Sequence, residues 1–317
     1  FEAAGQQAFE LSRHVPDYLP SRFWATTVST SHNTIFAVEG EQPSNKLFCY
    51  RNQVQGEQIV QNAFFTMTLP SQNKVQAITS VEDNVYIVVS DTNSNRGDVL
   101  QVQRMSLIPE PLDLPRIDSR EVKTIQDTTR NEDQSTTTFL FTEEAGISSS
   151  TDVVVFNDGS SYDCIPGKTN LNGIDYDSVT INGSALASGS CYIGKKFTTK
   201  VELSTLFVRD ERNNIIPGTL NLRYCVVRHR NTGTYNVAVS RKGRPAETYT
   251  FDYETGGEYG TVLDSKLFEE DGTFKFPLMG FTDDIKIEIT SSFPNPMNLT
   301  HIEVAGKFKR VPKFLTT

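Results

Sequence analysis

The amino-acid sequence predicts an all-β protein, and three observations support this fold class. Short runs rich in Val, Ile, Phe, Tyr and Thr recur at intervals of roughly ten residues. Clusters of turn-forming residues, such as EGEQPSN, VEDN and DTNSNRGD, separate these runs. No segment shows the apolar period of about 3.6 residues that marks an amphipathic helix. Antiparallel sheets joined by short turns are therefore expected along the 317 residues.

Residues 1–107 are predicted to form a propeller-like β-meander. Their β-prone runs, from RFWATTVST to VLQVQRMSL, follow one another at the even spacing typical of propeller blades. The length corresponds to about one and a half to two blades of four strands. The rhythm of the runs is the basis of this prediction, because the sequence contains no tight repeat motif.

An extended arm is predicted to precede the first strand. Pro16 and Pro20 exclude a continuous helix there, because each proline lacks an amide donor and fixes φ. The residue before each proline is biased towards an extended conformation. The arm should deliver Phe23 and Trp24 into the first strand, and Trp24 is expected to belong to the core.

Residues 108–190 are predicted to form a small β domain with long loops. Three prolines in IPEPLDLPRID end the meander and mark the boundary. TDVVVFNDGSSYDCI indicates a hairpin that turns at residues 157–159, where Asp-Gly is the turn signal. A second strand pair is expected to turn near Asn182. Residues 124–141, which are polar with a β-prone end, are expected to form a long exposed hairpin or a mobile tip.

Residues 191–317 are predicted to form a C-terminal β-sandwich or jelly roll of seven or eight strands. Alternation in TLNLRYCVVRHR predicts one buried face, formed by Leu220, Leu222, Tyr224 and Val226. Alternation in DIKIEIT predicts a second buried set, formed by Ile285, Ile287 and Ile289. In that strand, Lys286 and Glu288 are expected to face solvent.

The net charge of −9 is unevenly distributed. Residues 1–190 contain 12 Lys and Arg against 24 Asp and Glu, whereas residues 191–317 contain 18 against 15. The acidic part argues against tight binding of nucleic-acid phosphates, which requires clustered cations. Basic steps occur at residues 228–230, 241–242 and 307–310. They are interpreted as a solvated face or as contacts to an acidic protein partner or DNA.

No catalytic, cofactor-binding or metal-binding residue is predicted. Cys49, Cys164, Cys191 and Cys225 are far apart and are expected to be buried free thiols. The four histidines have no paired spacing for zinc. Asp175 and Asp177 resemble the start of a calcium loop, but the glycine and closing glutamate of such a loop are missing. No apolar run approaches the roughly 20 residues of a membrane span, so membrane insertion is not expected.

Several short motifs resemble the tail tubular protein B family, the nozzle proteins of short-tailed double-stranded-DNA phages. HVPDYLP, at residues 14–20, resembles the family's proline-containing arm, and KLFCYR follows at residues 46–51. CYIGKKF, NTGTYNVAV and FKFPLMG resemble further family segments. The segment VRDERNNIIPGTLNLRYCVV contributes Gly218, Leu220, Leu222 and Arg223 to a family strand pattern. These matches run in consistent order from residue 12 to residue 310.

The resemblance implies a structural virion protein. Such a protein forms a six-fold ring below the tail adaptor, helps to dock tail fibres and lines a channel through which genomic DNA leaves. It would be made in the host cytoplasm, would contact DNA transiently and could meet the host surface. Family members are longer and match in their C-terminal part. The chain is therefore expected to be a fragment or processed product, or to receive the remaining part from another chain.

Two polar segments, residues 126–138 and 168–175, are the candidate channel or gating loops. Two alternatives remain for the function. One is a host-surface glycan-binding module, which needs an exposed aromatic platform. The other is a glycan-degrading propeller or sandwich, which needs two carboxylates at a set separation that the sequence cannot establish.

Overall fold

The described part of the chain is almost entirely β-structure. The computed structural model describes residues 19–55, 58–69, 73–91, 99–108, 111, 114–132, 135–141, 152–156, 161–163, 165–171, 174–182, 189–211, 214–252 and 268–310. Strands dominate these residues, and the only helix among them is a three-residue 3-10 turn at Thr282–Asp284. The all-β prediction is confirmed. The chain divides into two compact units, Phe1–Glu110 and Pro111–Thr317.

The first unit contains two consecutive antiparallel meanders. Its strands are β1 (Phe23–Ser29), β2 (Thr34–Glu39), β3 (Lys46–Gln55), β4 (Gln58–Thr68), β5 (Asn73–Val81), β6 (Asn84–Asp91) and β7 (Val99–Ser106). Strands β1 to β4 form one sheet in chain order, and β5 to β7 form another. Alternate residues of both sheets, including Phe36, Leu47 and Val85, share one apolar core. A meander is therefore present, while its completion into a propeller stays a prediction.

The predicted core position of Trp24 is wrong. Its side chain is 43% exposed, although its indole Nε1 donates a hydrogen bond to the carbonyl oxygen of Gln76 at 3.0 Å. A register shift between Phe23 and Thr26 interrupts the regular pairing of β1 with β2 at this position. Trp24 therefore lies outside the core, whereas its neighbour Ala25 packs against it. Pro16 and most of the predicted arm, up to residue 18, lie outside the described residues.

The second unit begins with a seven-stranded antiparallel sheet. Its strands are β8 (Asp118–Asn131), β9 (Thr136–Phe141), β10 (Asp152–Phe156), β11 (Ser161–Asp163), β12 (Ile165–Leu171), β13 (Ile174–Asn182) and β14 (Gly189–Lys195). The spatial order is β11-β10-β14-β8-β9-β13-β12. Strands β10 and β11 form the hairpin expected around residues 157–159, which themselves lie outside the described residues.

Strands β13 and β14 do not form the expected pair near Asn182. Strand β13 pairs with β9 and β12, whereas β14 pairs with β8 and β10. Two strands, β8 and β9, therefore separate them in the sheet. The turn signal near Asn182 predicted the wrong pair, because both strands pair with strands that come earlier in the chain. Strand β14 also crosses the predicted boundary at residue 190, and the three-domain division stays a prediction.

Two further sheets of the second unit face each other across an apolar core. Their strands are β15 (Thr199–Glu202), β16 (Gly218–Thr232), β17 (Tyr235–Arg241), β18 (Glu247–Phe251), β19 (Glu269–Phe281), β20 (Ile285–Ser291) and β21 (Leu299–Arg310). One sheet has the order β15-β20-β17-β18 and the other β19-β16-β21. Buried residues from both sheets, including Tyr235, Phe276 and Ile289, form one cluster. We call these two sheets the sandwich.

A β-bulge in β16 changes which of its residues face the sandwich core. Leu222 is aligned with Gly306 of β21, and the next aligned residue is Tyr224 with Ala305, so Arg223 is an extra residue on β16. An extra residue shifts the two-residue side-chain alternation by one position. Cys225 and Val227 are consequently buried, and Tyr224 is exposed.

The alternation predicted for β16 therefore holds only before the bulge. Leu222 is buried and Leu220 packs against the core, but the predicted inward orientation of Tyr224 and Val226 is wrong. Strand β20, which is paired regularly with β17, follows its prediction. Ile287 and Ile289 are buried, while Lys286 is exposed.

Candidate functional site

The longest strand of the seven-stranded sheet, β8, forms a hairpin with β9. Residues 126–138, which were candidates for a loop, are mostly these two strands, so the alternative of a long exposed hairpin is confirmed. Ile125 is aligned with Gly189 of β14, and β8 continues beyond this position to Asn131. At roughly 3.3 Å per residue, this extension is about 20 Å long.

The surface of the β8–β9 hairpin is polar and slightly acidic. Its described exposed charges include Asp127, Arg130 and Glu132. Thr137 is buried on the inner side, and the Thr138 and Thr180 hydroxyl oxygens lie 2.8 Å apart, which fastens β9 to β13. The hairpin thus extends the sheet beyond β14 while β9 stays paired with β13, and its hydroxyl- and amide-rich surface offers a polyanion few cations to bind.

Residues 168–175 form another hairpin, between β12 and β13, at the opposite end of the sheet. Leu171 is aligned with Ile174 at its tip, whereas Asn182, at the other end of β13, is aligned with Thr136 beside the β8–β9 tip. Eight residues of β13 therefore separate the two tips, which corresponds to about 26 Å. The structure does not bring the two candidate segments together within one subunit.

Two of the three basic steps lie on one face of the sandwich. Arg228 and Arg230 are exposed on β16, opposite the buried His229, and Lys307 and Lys309 are exposed on the neighbouring β21. This is the outer face of the β19-β16-β21 sheet, facing away from the core. The sequence shows each basic step but not their common surface, because one sequence does not reveal which strands pair.

Arg241 of the third basic step is mostly buried in the sandwich. Its Nε donates to the carbonyl oxygen of Leu278 at 2.6 Å, and its Nη1 donates to a carboxylate oxygen of Glu247 at 2.6 Å. Hydrogen bonds from Tyr249 and Arg241 hold the pKa of Glu247 below its usual value. Arg241 therefore ties β17 to β18 and β19.

The three described cysteines and His229 are buried in the cores of the sheets. Burial raises the pKa of Cys49 and Cys191 to about 12 and that of Cys225 to about 11, so these thiols are protonated at neutral pH. All three are free and buried, as predicted, whereas Cys164 lies outside the described residues. His229 Nδ1 lies 3.1 Å from the Tyr235 hydroxyl.

Carboxylates do not form a metal centre within the described part of the chain. Asp177 has a carboxylate oxygen 3.9 Å from Lys168 Nζ, and the side chain of Asp175 lies outside the described residues. In the described part of the chain, no helix is long and apolar enough to cross a bilayer.

A polar pocket of about 490 Å³ lies in the first unit. Its lining includes His32, Arg51, Asn52, Asn62 and Phe65. His32 Nε2 lies 2.9 Å from a carboxylate oxygen of Asp83, and Asn52 Oδ1 is buried without a hydrogen-bond partner among the described residues. The pocket offers hydrogen-bonding groups, but its described lining contains no carboxylate pair for acid–base chemistry.

The carboxyl group of Asp118, at the start of β8, should make the stability of the second unit depend on pH. Burial raises its pKa from 3.8 to about 6. The folded state therefore holds the proton more tightly than the unfolded state, and the stabilisation is present below pH ~4 and lost as the pH rises through 6. The free energy of unfolding lost between pH 4 and a pH well above 6 is at most about 3 kcal/mol.

We expect Asp118→Asn to stabilise the second unit more at pH 8 than at pH 4, by about 1–3 kcal/mol. Urea unfolding of both proteins at the two pH values measures this difference. Asp127→Asn, at an exposed position of the same strand, is the matched control. An equal effect of Asp118→Asn at both pH values would contradict the prediction.

Comparison with solved structures found only weak likeness. An exo-β-1,3-galactanase from Phanerochaete chrysosporium with galactose is 11% identical, with a TM-score of 0.18, over 88% of this chain and 56% of that one. A second galactanase structure, with β-1,3-galactotriose, is 10% identical, with a TM-score of 0.17, over 89% and 56%. The chain thus spans little more than half the length of these galactanases. Likeness at this level assigns neither fold nor function.

Comparison of sequences gave a single clear result. No curated protein sequence matches the chain. The family model of the bacteriophage nozzle protein, however, matches residues 2–313. The match includes both compact units and almost every residue of the chain. The chain therefore belongs to the bacteriophage nozzle protein family and is a structural component of the phage tail.

Proposed function

We propose that the protein is a subunit of a six-fold tail ring through which genomic double-stranded DNA is ejected. The observation that carries the proposal is the family match over residues 2–313. In this proposal the ring sits below the tail adaptor, as in the tail tubular protein B proteins of short-tailed phages, and helps to dock tail fibres. The chain would correspond to the C-terminal part of such a protein.

A conduit for DNA must surround a polyanion without holding it. Clustered lysines and arginines bind phosphates by releasing counterions, and such binding would slow ejection. The excess of acidic residues in residues 1–190, 24 against 12 basic residues, is compatible with weak and transient contact. The role proposed for the protein is therefore mechanical, and it requires neither a cofactor nor a catalytic residue.

The β8–β9 hairpin is the element that we assign to the channel. It extends about 20 Å beyond the pairing of β8 with β14, and its described exposed charges, two acidic and one basic, offer little to hold DNA phosphates. The β12–β13 hairpin lies at the other end of the sheet, so only one of the two can contribute to a given constriction. We choose β8–β9 because β8, with 14 residues, continues six residues beyond its pairing with β14.

Electron microscopy of DNA-filled heads that carry their tail adaptor tests the proposal. We expect added six-fold density at the tail tip when the chain is supplied, with the β8–β9 hairpins directed towards the axis. A chain that adds no density to these particles would overturn the assignment. Release of reducing sugar from host capsule, abolished by changing one carboxylate, would instead favour a glycan-degrading protein.

Shortening the β8–β9 hairpin is expected to weaken retention of packaged DNA. Thr129 and Thr138 are aligned across the hairpin, so residues 130–137 can be replaced by Asn-Gly, which forms a tight two-residue turn. We expect DNA to become accessible to nuclease about tenfold faster, equivalent to a barrier lower by about 1.4 kcal/mol. Nuclease digestion of assembled particles over time measures the rate.

The β12–β13 hairpin provides the matched control for this experiment. Thr169 and Tyr176 are aligned there, so residues 170–175 can be replaced by the same Asn-Gly turn. We expect particles with this change to retain DNA like the unmodified ones. Equal leakage from both shortened proteins would show that the hairpin assignment is wrong, and retention by both would do the same.

A further inference from the structure

The outer face of the β19-β16-β21 sheet has two chemically different ends. At one end the cations are paired: Arg228 Nη2 lies 2.8 Å from a carboxylate oxygen of Glu303, and Arg230 Nε lies 3.7 Å from one of Asp271. Within each pair, the carboxylate neutralises the charge of the arginine. The other end of the face, where the β16 bulge lies, carries cations and exposed aromatic rings.

We define this second end as the basic–aromatic patch. Its residues are Arg223, Tyr224, Lys275, Met279, Phe281, Lys307 and Lys309. Cross-strand alignment places them together, because Asn221 is aligned with both Phe281 and Lys307, and Thr219 with Lys309.

The bulge is what creates the patch. Leu222 and Cys225 are both buried, so the two residues between them, Arg223 and Tyr224, are both directed outwards. Lys275 Nζ lies 4.0 Å from the centroid of the Tyr224 ring, which fixes a cation over an aromatic face. Without the bulge, Tyr224 would belong to the core.

Three large side chains of the patch are exposed close to one another. Met279 is 66% exposed, Phe281 50% and Tyr224 37%. Contiguous exposed apolar side chains rimmed by charges are typical of protein–protein interfaces, where aromatic residues, Met and Arg are enriched. Binding of DNA phosphates requires cations but no exposed Phe or Met, so the composition favours a protein partner.

The distribution of charge along the chain favours a second copy of the chain as the partner. Residues 108–190 contain 14 Asp and Glu against 5 Lys and Arg, whereas residues 191–317 contain 15 against 18. A ring closes through head-to-tail contacts between two different surfaces of each subunit. A basic surface and an acidic region on the same chain satisfy this requirement.

We propose that the basic–aromatic patch binds the acidic region, residues 108–190, of a second copy of the chain. The inference rests on the proposed ring and specifies which surfaces form its subunit contact. Lys307 and Lys309 would meet carboxylates of the neighbour, while Tyr224, Met279 and Phe281 lose their contact with water.

Charge reversal tests the patch directly. Lys307→Glu together with Lys309→Glu is expected to weaken self-association of the full chain about 100-fold, because like charges would then face each other. Sedimentation velocity over a concentration series measures the association constant. The matched control is Lys242→Glu with Arg244→Glu, which places the same charge change in the exposed turn after β17 and should leave association unchanged.

Zero-length carbodiimide cross-linking identifies the partner surface. With a mixture of isotope-labelled and unlabelled chains, we expect mixed-label cross-links from Lys307 or Lys309 to carboxylates within residues 108–190. Circular dichroism and the melting temperature should be unchanged in both double variants, since all four positions are exposed.

The outcomes separate this inference from the proposed function. If a six-fold ring forms on particles but the patch variants still associate, or the cross-links lie elsewhere, the inference is wrong and the ring stands. If no ring forms in any condition, both fail. Loss of duplex DNA binding in the Lys307→Glu, Lys309→Glu protein, with association unchanged, would reassign the patch to DNA.

Discussion

Replacing Tyr235 with Ala is expected to lower the free energy of unfolding of the second unit by about 3–5 kcal/mol, the usual cost of deleting a buried aromatic ring. The side chain of Tyr235 is fully buried in the sandwich core. Its ring centroid lies 5.1 Å from that of Phe251 and 5.9 Å from that of Phe274, and its hydroxyl oxygen lies 3.1 Å from His229 Nδ1. The substitution would leave a cavity at the centre of this cluster.

Guanidinium unfolding, combined with hydrogen exchange of peptides from the second unit, measures the effect. Tyr235→Phe is the matched control, since it removes only the hydroxyl and should cost about 1 kcal/mol. Equal destabilisation by both changes would mean that the hydroxyl contact with His229, rather than ring packing, dominates at this position.

Phe36→Ala is expected to destabilise the first unit by about 3–5 kcal/mol. Phe36 is 1% exposed and belongs to the cluster that joins the two meanders, together with Val75 and Val85. Loss of the ring removes apolar contacts between the sheets. Hydrogen exchange of peptides from β2 and β6 should accelerate, while exchange in the sandwich stays unchanged.

Trp24→Ala serves as the comparison within the same unit. Trp24 is the larger residue, but it is 43% exposed, so we expect a loss of only about 1 kcal/mol, mainly from its hydrogen bond to Gln76. If Trp24→Ala were as costly as Phe36→Ala, the exposed position of the indole would be wrong.

Alternating patterns predicted the fold class well because each strand carries its own periodicity. The residues of β20 were placed correctly, since β20 pairs regularly with β17. Tyr224 was placed wrongly because a single extra residue, Arg223, reverses the alternation, and an extra residue leaves no mark in the local pattern. Trp24 was placed wrongly near another register shift, between Phe23 and Thr26.

Strand order was harder to predict than strand existence. The turn signal near Asn182 suggested that β13 and β14 are neighbours, yet β8 and β9 lie between them. Pairing across the chain depends on contacts between distant segments, which one sequence does not reveal. For the same reason, the candidate segments 126–138 and 168–175 were identified as polar, but their positions at opposite ends of the sheet were not.

The buried cysteines provide a set of built-in reporters of local opening. Cys49 lies in β3 of the first unit, Cys191 in β14 of the seven-stranded sheet and Cys225 in β16 of the sandwich. A buried, protonated thiol reacts with an alkylating reagent only after the strands around it separate. Pulsed alkylation followed by peptide mapping would therefore time the opening of three sheets in one sample, without any introduced label. In an assembled tail, the alkylation rates of the same three cysteines would show which sheet opens first when the genome leaves.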